Sequence, residues 1–144
     1  LHSHLGETEK AFADYNKAIS VNPKYAESYN GRGNIYLHNG ELEKALADYN
    51  KSIELNPTSM PPYDGRASNY FLRGELDKSL SDLDKALKLA PDYAASTLFR
   101  GIILGLKGYW FSSTDYLKRA IEINLKSNSS FSGNIKVTLS DLDK

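Results

Sequence analysis

A 34-residue period constrains this chain more than any other feature of its sequence. Pro23, Pro57 and Pro91 are each separated by 34 residues, and the segments between them align column by column. The most regular copy, residues 26–59, begins AESYNGRGNIYLHNGELEKALADYN. Self-similarity at a fixed period of this length is typical of stacked repeats.

Each copy predicts two helices joined by a tight turn. In the central copy Tyr29, Gly33 and Tyr36 share one face of the first helix, and an apolar stripe over 42–55 marks the second. Gly40 stands where the first helix must close, because glycine tolerates the left-handed conformation of a helix end. The pattern predicts helices at 7–21, 26–39, 42–55, 60–73, 76–89, 94–107 and 110–124.

The period also predicts the organisation of the chain. A repeat region covers residues 1–125 and a tail covers 126–144, a Ser/Asn-rich loop followed by a short helix. The tail is either a degenerate further repeat or a frayed end. Gly6 aligns with Gly40, so residues 1–5 are expected to end a truncated first helix. The predicted repeats are 1–25 (partial), 26–59, 60–93 and 94–125.

A 34-residue helix–turn–helix repeat, with small and aromatic residues in fixed columns and a closing proline, resembles the tetratricopeptide repeat (TPR) family. The resemblance implies an all-α fold, a right-handed α-solenoid of antiparallel helix hairpins. Small residues are needed at the contacts, since two helix axes approach closely only where side chains are short. The predicted structural repeat positions are Gly33, Ala45, Pro57, Ala67, Pro91 and Gly101.

Charged residues repeat with the same period. Arginine recurs in the first helices, and aspartate recurs in the second helices. We expect structural ion pairs between helices, and the spacing allows pairing within a repeat as well as between neighbouring repeats. The residues concerned are Arg32, Arg66, Arg100, Asp14, Asp48 and Asp82.

The sequence offers little for catalysis or cofactor binding. The 18 basic and 18 acidic residues balance, so no gross field attracts nucleic acid or an anionic membrane. There is no cysteine, which excludes disulfides and thiol catalysis. The three histidines lack partners at metal-ligand spacing. The longest aliphatic run, 102–104, is far too short to insert into a membrane. We therefore predict no catalytic residue, no metal and no cofactor.

Function is expected to come from surface shape. The resemblance implies that the first helices line an inner groove, with lining residues one position beyond the core stripe. The predicted peptide-binding candidates are Asn30, Asn34, His38, Asp64, Ser68, Phe71, Leu98 and Ile102. This face changes from amide-rich to apolar along the chain. Its apolar end is expected either to hold apolar side chains of a peptide or to be covered by a following repeat or the tail.

The leading hypothesis is a non-catalytic protein–protein interaction scaffold that binds a peptide or partner segment in the groove. The alternative is a partner- or substrate-selecting arm of a larger enzyme whose catalytic domain lies outside this chain. Self-association through residues 102–111 is a third hypothesis, because this stretch is rich in apolar side chains. The carboxylate clamp of chaperone-binding TPR proteins is not matched, since Gly65, Ala95 and Phe99 replace its polar or basic members.

Overall fold

The computed structural model describes residues 2–127, and this part of the chain is entirely helical apart from short turns. It confirms the predicted all-α helical-repeat fold. The predicted tail helix lies outside the described residues. The helices are α1 (His2–Val21), α2 (Ala26–His38), α3 (Leu42–Leu55), α4 (Pro61–Leu72), α5 (Leu76–Leu89), α6 (Ala94–Leu106) and α7 (Trp110–Ser127).

The chain divides into two compact units, an N-terminal unit at residues 1–90 and a C-terminal unit from residue 91 onward. In the N-terminal unit α2 packs on α3 and α4 packs on α5, each as a hairpin. In the same unit α1 contacts α2, α3 contacts α4, and the first helices α2 and α4 touch each other. The described part of the C-terminal unit is the hairpin α6–α7.

Glycine closes the first helix of each hairpin. Gly40 has φ +77°, and Gly74 and Gly108 have similar positive values, which only glycine adopts without strain. The N–H of Glu41 donates to the carbonyl of Tyr36 at 2.9 Å, which is the bond of a Schellman motif. The predicted turns at these three glycines are therefore confirmed.

The expected helix end at Gly6 is wrong. Helix α1 runs without a break from His2 to Val21 and passes through Gly6. Continuing the helix through Gly6 adds one hydrogen bond per residue. The cost of a glycine inside a helix, about 0.5–1 kcal/mol, is smaller than the loss of those bonds.

Small residues occupy the closest helix contacts. Ala45 and Ala67 are completely buried in the N-terminal unit. A Cβ on Gly33 would lie 3.0 Å from Cε1 of Tyr49, so α2 and α3 can approach this closely only with glycine there. In the C-terminal unit Gly101 is buried in the same way.

Two of the prolines that end the repeats also accept hydrogen bonds through their backbone carbonyls. Asn56 caps α3, and the following Pro57 accepts a hydrogen bond from the hydroxyl of Tyr63 at 3.0 Å. The hydroxyl of Tyr29 donates to the carbonyl of Pro23 at the same distance. These bonds tie the start of each first helix to the loop before it. Pro91 stands at the corresponding place in the C-terminal unit and is exposed.

Arg32 and Arg66 of the N-terminal unit each connect three helices. The guanidinium of Arg66 donates two hydrogen bonds of 2.7 Å to the two carboxylate oxygens of Asp82 in the same repeat. Its remaining nitrogen donates to Oδ1 of Asn50 at 2.7 Å, in the preceding second helix. Arg32 makes the same contacts with Asp48 and Asn16. The predicted ion pairs thus form within a repeat, and the contact between repeats is to an asparagine.

Aromatic rings enclose these arginines. The guanidinium of Arg66 lies 5.8 Å from the ring centre of Tyr63 and 5.9 Å from that of Tyr70. The hydrogen bonds to Asp82 raise the pKa of Arg66 above its ordinary value, so its guanidinium remains charged throughout the physiological range. In the C-terminal unit Tyr116 replaces the aspartate, and Arg100 lies 4.4 Å above its ring.

Candidate interaction face

The predicted groove residues fall on three first helices. In α2, Asn34 and His38 are exposed and Asn30 is half-buried. In α4, all three candidates, Asp64, Ser68 and Phe71, are half-buried. Leu98 and Ile102 in α6 are exposed, and they belong to the C-terminal unit. The structure therefore places six of the candidates on two helices that touch each other, and the remaining two on a separate unit.

Tyr49 connects α2 and α4 beneath this face. Its ring belongs to α3 and is completely buried, and a Cβ on Gly65 of α4 would lie only 2.5 Å from its Cε1 atom. Its hydroxyl donates to Oδ1 of Asn34 in α2 at 2.7 Å. Tyr49, which the sequence assigned only to the core, thus places its hydroxyl directly beneath the exposed Asn34.

The environment of Tyr49 keeps its hydroxyl protonated. Burial raises the pKa of the Tyr49 phenol well above its ordinary value, and the carboxylates of Asp64 and Asp48 raise it further. The hydroxyl is therefore a hydrogen-bond donor at physiological pH. Because the oxygen of Asn34 accepts this bond, its amide nitrogen is the group left to donate to a ligand.

The polar groups of α4 complement this donor. The hydroxyl of Ser68 donates to the carbonyl of Asp64 at 3.2 Å, one turn earlier, so its lone pairs are available to accept. Phe71 follows Ser68 by three residues and so lies on the same side of the helix. We call Asn34, Asp64, Ser68 and Phe71 the α2/α4 face. It combines donors, acceptors and one aromatic side chain.

Asn30 differs from the other candidates. Its Oδ1 atom is buried and accepts no hydrogen bond from the described residues. The oxygen therefore points into the protein, and a ligand would contact the amide nitrogen or turn the side chain. His38, in the last turn of α2, is exposed to solvent.

The C-terminal unit carries an apolar surface. Leu98, Ile102 and Leu106 follow one another at four-residue spacing on α6, and all three are exposed. At the turn into α7, Trp110 is 70% exposed and Phe111 is 93% exposed. A groove between α6 and α7, of about 350 Å³, is lined by Ala94, Ala95, Leu98, Ala120, Ile121 and Asn124.

Among residues 2–127 no group of three or more His, Cys, Asp or Glu side chains could hold a metal ion. None of the helices in that range is both long and apolar enough to span a membrane.

Sequence reasoning missed three packing residues of the N-terminal unit. A Cβ on Gly31 would lie 2.2 Å from Cζ of Tyr15, which is even tighter than the contact of Gly65 with Tyr49. Each of these glycines follows its tyrosine by 16 residues, and this shared offset is the signal that could have found them. Asn69 is also completely buried, and its side-chain amide donates to the carbonyl of Leu42 at 2.7 Å.

Comparisons with known proteins agree with this architecture. A family model described as Tetratricopeptide repeat matches residues 26–59, and one described as TPR repeat matches residues 4–40. No curated protein sequence matches the chain.

Several solved structures share the fold. The crystal structure of MamA has a TM-score of 0.78 and 22% identity, over 89% of this chain and 75% of that one. A thermophilic TPR protein of Thermus thermophilus has a TM-score of 0.72 and 23% identity, over 84% of this chain and 68% of that one. The APC/C hetero-tetramer Cut9-Hcn1 has a TM-score of 0.77 and 24% identity, over 82% of this chain and 23% of that one.

At these identities the structural likeness shows the helical-repeat fold, while the two family models identify the repeats themselves. The glycine-closed hairpins recur at the 34-residue period along residues 26–125. Residues 4–59 therefore match tetratricopeptide repeats, and the hairpins that follow share their fold.

Proposed function

We propose that this chain is a non-catalytic scaffold for protein–protein interactions and that it binds an extended segment of a partner on the α2/α4 face. The carrying observation is the hydrogen bond from Tyr49 to Asn34, which orients an exposed amide between two contacting first helices. The fold supports a role in assemblies, since one similar structure, Cut9-Hcn1, is a hetero-tetramer.

The face suits an extended backbone. The amide nitrogen of Asn34 can donate to a peptide carbonyl, and the hydroxyl oxygen of Ser68 can accept from a peptide N–H. Phe71 offers an aromatic surface for an apolar side chain of the same segment. Main-chain hydrogen bonds would then supply affinity, and contact with the ring of Phe71 would supply selectivity.

Peptides selected from a phage-displayed library against the chain provide the test. The variant Asn34→Asp keeps an oxygen for the Tyr49 hydroxyl but removes the donating amide, so it isolates the proposed contact from the packing. We expect Asn34→Asp and Phe71→Ala each to weaken the selected peptides by about tenfold or more. The matched control Glu54→Gln, an exposed residue on α3, should leave their affinity unchanged.

Circular dichroism melts of the variants exclude unfolding as the cause of lost binding. Selected peptides that bind both face variants as tightly as wild type would refute the assignment of the site. A chain that selects no peptide at all would refute peptide binding itself.

We also propose self-association through residues 102–111, because the aromatic side chains at the start of α7, Trp110 and Phe111, are largely exposed to solvent. Light scattering over a concentration series is the test. We expect an average mass that rises with concentration and returns to the monomer value in Trp110→Glu/Phe111→Glu. A monomeric mass for the wild type at high concentration would refute it.

A further inference from the structure

The charge of the α2/α4 face narrows the kind of segment that it can bind. The two helices that form this face carry two arginines, Arg32 and Arg66, and no lysine. Each guanidinium donates two hydrogen bonds to an aspartate on the second helix of its own repeat. The permanent positive charges of α2 and α4 are therefore already paired beneath the face.

Carboxylates mark one end of the face. Glu27 lies in the first turn of α2, and Asp64 lies in the first turn of α4. Both belong to the stripe that forms the face, because Glu27 precedes Asn34 by two helical turns and Asp64 precedes Ser68 by one. His38, the remaining ionisable side chain of this stripe, lies at the opposite end of α2. The end of the face at the helix starts is therefore acidic.

Asp64 is the better placed of the two carboxylates to select a ligand. It is half-buried, whereas Glu27 is exposed. The field of Asp64 extends into the protein, since its carboxylate helps to raise the pKa of the Tyr49 phenol beneath the face. A charge that acts through protein attracts an opposite charge more strongly than one surrounded by water.

Asn30 offers a further acceptor beside Asp64. The two residues occupy the same column of consecutive repeats, on helices that contact each other. The buried Oδ1 atom of Asn30 has no hydrogen-bond partner among the described residues. A half-turn of the amide would bring this oxygen to the ligand side, where an N–H group would satisfy it. An ammonium or guanidinium group carries enough donors to serve both residues at once.

We propose that the segment bound by the α2/α4 face carries a lysine or arginine that pairs with Asp64, in addition to the apolar side chain that contacts Phe71. This inference rests on the proposed function of that face. An acidic residue at the same place would be rejected, because like charges would meet on a partly buried surface. The partner is therefore a protein with an exposed segment that is both basic and apolar.

Peptides selected from a phage-displayed random library, separately against the wild type and Asp64→Lys, are the probes. We expect Lys and Arg to be enriched in the wild-type pool, and Asp and Glu to replace them in the Asp64→Lys pool. For one synthetic peptide of the wild-type pool, fluorescence polarisation should show that Asp64→Asn weakens binding by about tenfold or more. Asp64→Glu should restore most of the affinity. The exposed Glu54→Gln is the matched control and should have no effect.

A second set of peptides separates a direct contact from a structural role of Asp64. Each basic residue of the synthetic peptide is replaced in turn by glutamine. At the residue that pairs with Asp64, the glutamine peptide should bind the wild type weakly and should bind Asp64→Asn no more weakly. Added salt should weaken binding to the wild type more than binding to Asp64→Asn. If Asp64→Asn weakened every glutamine peptide as much as the original, the proposal would be overturned.

The outcomes distinguish this proposal from the one on which it rests. Peptides that depend on Phe71 but show no enrichment of Lys or Arg would overturn the charge preference and leave peptide binding intact. An unchanged affinity for Asp64→Asn would do the same. Peptides that bind Phe71→Ala as tightly as the wild type, or the selection of no peptide at all, would overturn both. If Asp64→Lys fails to fold in circular dichroism melts, the wild-type pool and the Asp64→Asn affinities decide alone.

Discussion

The ion pair between Arg66 and Asp82 offers the most quantitative test of how these repeats are held together. The side chain of Asp82 is 8% exposed and that of Arg66 is 20% exposed, so both charges are largely removed from water. The two 2.7 Å bonds to the carboxylate are joined by a third, from Arg66 to Asn50. Replacing either charged residue alone leaves the other buried without its partner.

The expected magnitudes follow from that burial. Arg66→Leu should lower the free energy of unfolding by about 3–5 kcal/mol, because it strands a buried carboxylate. Asp82→Leu should cost a similar amount, because it strands the guanidinium. The double variant Arg66→Leu/Asp82→Leu has no unpaired charge, so its cost should be smaller than the sum of the single costs by at least about 2 kcal/mol.

Urea unfolding followed by circular dichroism at 222 nm measures these energies, with the slope of the transition checked for each variant because repeat proteins can unfold in steps. The exposed pair Lys51–Glu54 is the control: its side chains are 41% and 69% exposed, and Lys51→Gln should change stability by less than about 1 kcal/mol. Two results would refute the view that this buried pair stabilises the hairpin. One is a loss of unfolding free energy in each single variant that is as small as that of the control. The other is a loss in the double variant that equals the sum of the two single losses.

Three further predictions test the packing around Tyr49 and Asn69. Gly65→Ala should lower the free energy of unfolding in urea by about 1–3 kcal/mol, since its Cβ would lie 2.5 Å from the Tyr49 ring. Adding Tyr49→Leu to this variant should recover part of the loss. Equal stability of Gly65→Ala and the wild type would contradict the contact. Asn69→Ile should raise the free energy of unfolding by about 1 kcal/mol, because it removes a buried side-chain oxygen that has no hydrogen-bond partner among the described residues. Isoleucine already occupies the two aligned positions, Ile35 and Ile103. A loss of stability would show that the hydrogen bond from Asn69 to the carbonyl of Leu42 contributes more than the unpaired oxygen costs. Burial raises the pKa of Tyr49, so the folded state keeps the phenol proton while the unfolded state loses it above the ordinary pKa of 10.0. The free energy of unfolding should therefore fall as the pH rises above 10. Tyr49→Phe should reduce the slope of the unfolding free energy against pH by up to about 1.4 kcal/mol per pH unit, and equal slopes for the variant and the wild type at pH 9–11 would refute this prediction.

The repeat period was sufficient to predict the hairpins, because the same contact is made again at each step. Gly40, Gly74 and Gly108 all adopt positive φ, as their shared column predicted. Gly6 shares that column but lies within a continuous helix. A periodic pattern predicts a turn only where a helix on each side packs against the other, and among the described residues no helix separate from α1 stands before Gly6.

The candidate face was less predictable, because its chemistry depends on contacts between helices rather than on residue type. Sequence placed Asn34 on the face but assigned Tyr49 wholly to the core. The structure shows that the ring of Tyr49 is core while its hydroxyl reaches Asn34. Nothing in the sequence of α2 alone indicates which end of the Asn34 amide is engaged. That orientation comes from α3, and Gly65 in α4 makes room for the ring.

A symmetric offset places each of these arginines between two second helices. Arg32 follows Asn16 by 16 residues and precedes Asp48 by 16, so a first helix is equally far along the chain from both second helices that it touches. The structure makes both contacts at once, and residue type decides their nature: the two-bond ion pair goes to the aspartate and the single bond to the asparagine. The predicted ion pair is therefore one of two contacts of the arginine, and the other is a hydrogen bond to a neutral side chain. The same reasoning applies to Arg100, whose column partner is Tyr116: a tyrosine at that position offers an aromatic face in place of a carboxylate, and the guanidinium lies over that ring.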